Sequence, residues 1–441
     1  MSDITEPRPW KQAAFWLLAL GILFFSSYNA ANWLASQRGY VPSIVFAWES
    51  LIPYWAWTIV PYWSIDLFYC VSLFVCATRC ELHTHAFRLL AVQLISVTIF
   101  VVAPLRCTFV RPETTGLFGT MLDALLLFDK PFNQAPALHI SLLIVLWARY
   151  ARHLNGIGRW LLHAWFALIG VSVLTTYQHH FFDIPTGAWV GLFCIWLFPE
   201  NGKPLLSKIS FTHDAQRQRL TIRYFAGFVA VAAAAILFGG WALWLLWIAG
   251  SLLLVSVIYA CLDASAFQKS TDGHMCLASR LLLAPYLAGA WLNSRWWTRH
   301  GKTASVITDG VWIGRMPGYA QDIPAGVRGV VDLCAELPCP ASTGGYHPLP
   351  ILDLVPLTTQ QLADAAQGIA RLLAAGPVLV CCALGYSRSA AAIAAWLITS
   401  GQAATAAEAI ALIRAAHPGI VLNDPQCLAL NALSRIRLQT P

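Results

Sequence analysis

The chain has 441 residues, of which 58% are hydrophobic and 11% are charged, and its formal net charge is +7. An ordinary soluble domain carries about 25% charged residues, so the composition excludes a wholly water-soluble protein. The positive charge is spread over short loops between apolar segments, which argues against a nucleic-acid-binding protein.

Apolar segments that approach the roughly 20 residues needed to span a bilayer recur through the first part of the chain. The first segment continues past the length of a signal peptide and lacks a small-residue cleavage site, so we do not expect it to be removed. We predict about eight spans, at residues 13–34, 55–78, 89–105, 137–148, 160–177, 184–199, 224–239 and 241–262.

Basic residues lie in alternate loops between these spans. By the positive-inside rule these loops and the N-terminus are cytoplasmic, and two further spans return the C-terminus to the cytoplasm. We therefore expect an integral membrane protein of a bacterial inner membrane. The basic residues are Arg8, Lys11, Arg79, Arg88, Arg149, Arg152, Arg159, Lys203, Lys208, Arg217, Arg219 and Arg223.

The twelve cysteines have no repeated spacing, and several lie within apolar segments. A disulfide framework or a zinc site therefore has little support, and reduced thiols in a cytoplasmic domain fit the pattern better. We expect neither a metal nor a cofactor.

The composition divides the chain into three parts. Residues 1–262 are predicted to form a polytopic α-helical membrane domain. Residues 263–303 mix tryptophan and charge with apolar residues, which is typical of an interfacial segment, the alternative being an ordinary linker. Residues 304–441 alternate strand-like and helical patterns, which predicts a soluble α/β domain with a mostly parallel sheet covered on both faces. The expected strands are 305–308, 311–314, 329–333 and 378–380, and the expected helices are 359–375, 388–400 and 404–416.

A cysteine and an arginine bracket five residues directly after the last of these strands, from Cys382 to Arg388. Backbone N–H groups of such a loop and of the following helix can bind a phosphate dianion, and the planar arginine fork can hold two of its oxygens. The same positive environment favours a thiolate nucleophile. Ser389 can donate a hydrogen bond to the thiolate when a phosphocysteine breaks down. The alternative is a structural cysteine with the arginine in a surface ion pair. The loop residues expected to bind phosphate are Ala383, Leu384, Gly385, Tyr386 and Ser387.

Transfer of phosphate to a thiolate leaves an alkoxide or phenoxide, which takes a proton from a nearby carboxylic acid. Asp353 is the best candidate because it stands alone in an apolar, proline-bounded segment, 350–356. The alternatives are that Asp353 only caps a loop or helix, or that Asp332, within a strand-like run, supplies the proton.

On these motifs the C-terminal domain resembles the dual-specificity branch of the cysteine-dependent protein tyrosine phosphatases. The match covers the phosphate loop, the acid loop and a final helical region that includes residues 417–419. The resemblance implies that Cys382 is the nucleophile, Arg388 binds phosphate and Asp353 is the general acid. The sequence departs from the family at Cys381, where a histidine is usual, and the neighbouring thiols raise a redox possibility.

The apolar region carries polar groups of its own, which all fall on the non-cytoplasmic side under the predicted topology. Ionisable residues at such positions are energetically costly and usually functional. A neutral His179 held by Asp183 can attack phosphorus while His139 protonates the leaving group. Taken singly, each histidine is more often an interfacial anchor. The cations expected to bind the phosphate are Arg106, Arg111 and Lys130.

These motifs resemble the type 2 phosphatidic acid phosphatase superfamily, closest to its inositol phosphorylceramide synthase-like branch, over residues 50–200. The matching motifs are Arg111-Pro112, Pro136-x-x-His139 and His179-x3-Asp183. The chain departs from the family at Ala137, where a serine is usual. It departs again at Val173, where an arginine is expected after Ser172, although the branch itself often lacks that arginine.

The sequence therefore predicts a membrane-bound phosphatase that hydrolyses phosphate monoesters of lipids at two sites on opposite sides of the bilayer. One alternative is a lipid phosphotransferase in the membrane domain, with a protein phosphatase or sensing role for the C-terminal domain. Another makes one domain a degenerate binding module, for which Ala137 favours the membrane domain. The expected partners are a phosphorylated lipid or phosphoprotein substrate and membrane lipids, with no nucleic acid.

Overall fold

A computed structural model describes residues 6–200, 203–340 and 344–439 of the chain. By their internal contacts the residues form two compact units, which divide after Lys208. The three-part division expected from composition stays a prediction.

The first unit is helical and is built around one apolar core. In this unit the close approach of helix α7, Asp183–Leu197, to helix α5, Leu138–His153, depends on glycine. A Cβ atom at Gly187 would lie 2.5 Å from the backbone oxygen of Ala137, and one at Gly191 would lie 2.7 Å from that of Ser141. This contact brings the polar start of α7 to the polar start of α5. The helices are α1 Trp10–Ser36, α2 Ile59–Val75, α3 Arg79–Val102, α4 Gly116–Phe128, α5 Leu138–His153, α6 Gly156–Thr175 and α7 Asp183–Leu197.

The second unit begins with four helices, α8 Ala215–Phe238, α9 Leu245–Cys261, α10 Leu277–Leu282 and α11 Ala284–Trp297. The Asp214 side chain caps α8 by accepting a hydrogen bond from the N–H of Arg217. The Arg217 guanidinium in turn donates to backbone carbonyls at the end of α9, including that of Tyr259 at 3.1 Å. These hydrogen bonds join the start of α8 to the end of α9.

Six helices in the described ranges are long and apolar enough to cross a membrane, judged by length and composition. They cover six of the expected spans. The other two expected spans, 137–148 and 184–199, correspond to α5 and α7, which have 16 and 15 residues. At 1.5 Å per residue these helices are about 22–24 Å long, which is less than the thickness of a typical hydrocarbon core. The number of spans stays a prediction.

The rest of the second unit is a soluble α/β fold with a mixed, mostly parallel five-stranded sheet, in the order β1-β2-β5-β3-β4. Only the β1–β2 pair is antiparallel among the pairings of these strands. The four expected strands are present. The fifth, β4, was not predicted because Pro348 and Pro350 lie within it, and prolines are tolerated there because β4 is an edge strand. The strands are β1 Ala304–Thr308, β2 Val311–Arg315, β3 Gly329–Cys334, β4 Gly345–Ile351 and β5 Val378–Cys382.

Four helices complete this fold: α12 Thr359–Leu373, α13 Arg388–Ser400, α14 Ala406–Ala416 and α15 Asp424–Gln439. The first three match the expected helices. A large core joins one face of the sheet to the helices, with α13 almost entirely buried. A smaller core on the other face includes Cys381 and Ala383, and Ala290 of α11 packs against it. The sheet is therefore covered on both faces, as expected, and α11 supplies part of the second cover.

Candidate active site

The phosphate loop runs from the end of β5 to the start of α13. Cys382 is the last residue of β5 and is buried. The backbone N–H of Gly385 donates a hydrogen bond to its Sγ at 3.3 Å, and the hydroxyl of Ser389 lies 3.4 Å from the same sulfur. Gly385 has a φ of +82°, and a Cβ there would lie 2.6 Å from the carbonyl carbon of Gly314. Only glycine fits this turn, which folds the loop back over the thiol.

The remaining loop residues are anchored by neighbouring segments. The hydroxyl of Ser294, on α11, donates to the backbone oxygen of Ala383 at 2.5 Å. The backbone oxygen of Tyr386 accepts from the N–H of Val421 at 2.9 Å. Both anchors use backbone carbonyl oxygens of the loop and so occupy none of its N–H groups. Two further loop positions are half-buried, Leu384 and Ser387, and the hydroxyl of Ser387 pairs with the amide of Gln426.

Arg388 is buried at the first turn of α13. It is bound by the carboxylate of Glu336, which the sequence did not indicate. Its Nη1 donates to Glu336 Oε2 at 3.0 Å and its Nη2 to Oε1 at 2.5 Å, a two-point ion pair. Nη1 also donates to the backbone oxygen of Ile351 at 2.7 Å. Burial opposes the charge of Glu336, but the adjacent Arg388 outweighs it and lowers the pKa of that carboxyl. The surface ion pair considered as an alternative is excluded, since the arginine is inside the protein.

Asp353 lies beside the same guanidinium. Its Oδ1 accepts a hydrogen bond from Arg388 Nη2 at 2.9 Å, and its side chain is 29% exposed. Burial raises the pKa of Asp353, with a further contribution from the charge of Glu336 and against the opposing charge of Arg388. An aspartic acid in these surroundings stays protonated to higher pH than an exposed one.

Asp332 is held elsewhere and does not compete for this position. It forms a buried ion pair with Lys269, and its carboxylate accepts hydrogen bonds from the hydroxyl of Tyr346 at 2.6 Å and the N–H of Cys334 at 2.8 Å. It is paired in register with Cys381. Because successive strand residues point to opposite faces, Cys381 lies in the second core, away from the thiol of Cys382.

Two contributors to this site were missed by the sequence analysis. Glu336 follows β3, whose carboxyl end meets that of β5 because the strands are parallel neighbours. A carboxylate two residues after such a strand is a signal that could have been used. Gln426, at the start of α15, gave no comparable signal because its contact with the loop spans 39 residues.

The first unit also gathers the polar residues expected there. His179 Nδ1 lies 3.2 Å from Asp183 Oδ2, and both side chains are buried. His139 stacks on the ring of Tyr62, with the ring centroids 4.1 Å apart. Its Nε2 is buried and has no hydrogen-bond partner among the described residues. The backbone N–H of Ala137 donates to the backbone oxygen of Asp183 at 3.0 Å, which joins the two segments.

A second histidine–carboxylate pair adjoins the first and was not predicted. Glu49 Oε2 lies 2.7 Å from His180 Nδ1, and both side chains are buried. The backbone N–H of Thr108 lies 3.0 Å from the other ring nitrogen of His180. This interaction ties the loop after α3 to the start of α7.

The predicted cations of the first unit have different surroundings. Arg111 forms an ion pair with Asp123 of α4. Arg106 and Lys130 are exposed. Their two loops run side by side, joined by the hydrogen bond from Cys107 N–H to the backbone oxygen of Pro131 at 2.9 Å. Among the described residues no group of three His, Cys, Asp or Glu side chains is arranged to hold a metal ion.

Comparison with known proteins identifies the C-terminal fold. Residues 349–436 match the family described as dual specificity phosphatase, catalytic domain. No curated protein matches the chain. Similar solved structures include PTPMT1 in complex with PI(5)P, which is 21% identical over 31% of this chain and 97% of that one, with a TM-score of 0.27. Human DUSP28 is 22% identical over 32% and 97%, with a TM-score of 0.29. A mouse putative dual specificity phosphatase complexed with zinc tungstate is 20% identical over 31% and 89%, with a TM-score of 0.28. The chain thus contains a dual specificity phosphatase catalytic domain and is a cysteine-dependent phosphatase, a phosphoric ester hydrolase.

Proposed function

We propose that this protein is a membrane-embedded phosphatase that removes phosphate from lipid phosphate monoesters at a cytoplasmic site formed by Cys382, Arg388, Asp353 and Ser389. The observation that carries the proposal is the convergence on one loop of a buried thiol, a buried guanidinium and a carboxyl group whose pKa burial raises. These groups are a nucleophile, an anion clamp and an acid.

The proposed reaction has two steps. Arg388, the loop N–H groups and the start of α13 hold the phosphate dianion, which displaces Asp353 from the guanidinium. The thiolate of Cys382 attacks phosphorus, the ester bond breaks, and the leaving oxygen takes the proton of the Asp353 carboxyl. Water then attacks the phosphocysteine and gives its proton to the Asp353 carboxylate. The thiolate leaves, stabilised by the hydroxyl of Ser389, and orthophosphate is released.

The surroundings of the site support a lipid substrate. Trp296 and Trp297, at the end of α11, are 62% and 64% exposed, and the Arg299 guanidinium lies 3.8 Å from the centre of the Trp296 ring. Tryptophan and arginine side chains of this kind are typical of the headgroup region of a bilayer. The same helix anchors the phosphate loop through Ser294. A lipid headgroup at the bilayer surface would therefore lie close to the phosphate loop. The competing substrate is a phosphoprotein.

The proposed topology follows the expected one. Residues 1–262 form the membrane domain, residues 263–303 lie at the interface, and residues 304–441 form the cytoplasmic phosphatase domain, with the N-terminus also cytoplasmic. The six long apolar helices are compatible with this arrangement.

A second candidate function is phosphoryl transfer in the first unit, by a site of the type 2 phosphatidic acid phosphatase kind. The His179–Asp183 pair and the unpartnered Nε2 of the nearby His139 favour it. His179 would form a phosphohistidine, His139 would protonate the leaving group, and Arg106, Arg111 and Lys130 would attract the phosphate. The acceptor would be water or the hydroxyl of another lipid. Ala137 removes one hydroxyl from this site, so a binding or sensing role is the remaining alternative.

The test uses the full chain in lipid vesicles, with phosphatidic acid, phosphatidylglycerol phosphate, phosphoinositides and phosphopeptides as substrates. We expect Cys382→Ser to abolish hydrolysis of at least one lipid and His179→Ala to leave that activity intact. If Cys382→Ser changes no activity, the proposal is wrong. If phosphopeptides are turned over faster than the lipids, the proposed lipid substrate is wrong, but the proposed chemistry of Cys382 is not. Transfer of labelled phosphate to a second lipid that depends on His179 would establish the second function.

A further inference from the structure

The loop that carries Asp353 is fastened to the end of α9. The hydroxyl of Tyr259 donates a hydrogen bond to the backbone oxygen of Asp353 at 3.0 Å. Tyr259 is only 1% exposed, in the last turn of its helix. The hydroxyl of this buried side chain therefore has a fixed position, and its hydrogen-bond acceptor is a backbone oxygen of the acid loop.

The peptide that accepts this hydrogen bond is next to a strained residue. Leu354 has a φ of +58°, in the left-handed region that leucine rarely adopts. Its side chain is 57% exposed, so packing of the leucine does not compensate for that conformation. A left-handed backbone at a residue with a side chain is energetically unfavourable and persists where other contacts hold it. The Tyr259 hydroxyl fixes the peptide plane between Asp353 and Leu354 and is such a contact.

Tyr259 itself rests on a rigid support. Its ring lies against that of Tyr224 on α8, with the ring centroids 5.5 Å apart, and Tyr224 meets Tyr286 of α11 edge-on at 5.7 Å. The backbone oxygen of Tyr259 accepts from the Arg217 guanidinium. Contacts among α8, α9 and α11 thus fix the position of the Tyr259 hydroxyl, which in turn binds the acid loop.

We propose that Tyr259 is a positioning residue, which holds the backbone of the acid loop so that the Asp353 carboxyl reaches the leaving oxygen of the substrate. This inference rests on the proposed role of Asp353. Without the hydroxyl, the Asp353–Leu354 peptide rotates away from its strained orientation, and the carboxyl spends less time in position. The effect falls on proton transfer and leaves phosphate binding and thiolate attack unchanged.

The test compares two substrates whose leaving groups differ in their need for a proton. A phosphate monoester of a primary alcohol needs one, whereas a fluorinated aryl phosphate leaves readily as the phenoxide. We expect Tyr259→Phe to lower kcat/KM, which reports the first step alone, about fivefold on the alkyl ester, as for loss of one hydrogen bond, and less than about twofold on the aryl ester. The matched control is Tyr346→Phe, which removes a tyrosine hydroxyl that donates one hydrogen bond to Asp332, outside the site, and should leave both rates unchanged. The full chain carries His179→Ala throughout, so that turnover reports the Cys382 site.

The Asp353→Asn variant separates failure of this inference from failure of the proposed function. It should lower kcat/KM on the alkyl ester by about 10²–10⁴-fold and have a much smaller effect on kcat/KM of the aryl ester. Suppose that Asp353→Asn shows this difference between the two esters. If Tyr259→Phe then lowers both rates equally, or lowers neither rate, Tyr259 is not a positioning residue. If Asp353→Asn affects both esters alike, the proposed role of Asp353 is wrong, and the inference is wrong with it.

Discussion

Arg388 and Glu336 form a buried two-point ion pair at the end of the loop that begins with Cys382, with N–O distances of 3.0 and 2.5 Å. The pair fixes the plane of the guanidinium, and a phosphate would bind at Nη2 in place of Asp353. Replacing Glu336 by Ala should destabilise the fold by about 3–5 kcal/mol, because it leaves a buried cation short of a partner. The midpoint of thermal unfolding measures this loss.

The conservative change Glu336→Gln tests orientation separately from charge. The amide oxygen still accepts from the guanidinium, but the NH₂ group cannot, so one of the two contacts is lost. We expect a smaller loss of stability than for Ala and a KM that rises at least about fivefold, as for loss of one hydrogen bond. A KM equal to that of the wild type would show that Arg388 does not need Glu336 for its orientation.

The two neighbouring cysteines should behave differently. Cys382 lies in the phosphate loop, whereas Cys381 is buried in the core on the other face of the sheet. Cys382→Ser should lower kcat on the order of 10⁴-fold or more, as for loss of a nucleophile. Cys381→Ser should retain most of the activity. Equal loss in both variants, after correction for folded protein by circular dichroism, would mean that the two thiols act together.

The activity of the Cys382 site should fall on the alkaline side as Asp353 loses its proton. Burial raises the pKa of Asp353, so its protonated form persists above the pH range of an exposed aspartic acid. The proton is needed in the first step, and kcat/KM for an alkyl phosphate therefore decreases as the pH rises through this pKa. Asp353→Asn should remove this decrease. An unchanged alkaline limb in the variant would assign it to another group.

The Lys269–Asp332 ion pair should contribute to stability and leave the chemistry unaffected. Lys269→Met leaves the Asp332 carboxylate buried without its cation and should cost about 3–5 kcal/mol of folding free energy. Adding Asp332→Asn removes the uncompensated charge and should recover part of the loss. Thermal unfolding of the two variants measures this. A double variant no more stable than Lys269→Met would show that the carboxylate tolerates the missing partner.

The sequence predicted the parts of the fold that local patterns determine. The strands and helices around Cys382 follow from apolar runs that end at glycines, and the loop follows from the Cys–Arg spacing. The edge strand β4 was missed because two prolines contradict its local propensity, and its position at the edge makes them acceptable.

Long-range contacts set the remaining features of the site. The partners of Arg388 at Glu336 and of Asp332 at Lys269 are 52 and 63 residues away along the chain. Their contacts depend on the order of the strands and on the segment before β1, which no local pattern determines. The packing of α11 against the phosphate loop, through Ser294 and Ala383, is of the same kind.

The most direct test of the central claim is to trap the phosphoryl enzyme. The full chain is mixed with a ³²P-labelled lipid phosphate, quenched within milliseconds, digested and mapped. We predict label on the peptide that contains Cys382, at up to about one phosphate per chain, and no label at that position in Cys382→Ser. Label found only on the peptide that contains His179, or turnover with no labelled protein, would contradict the account.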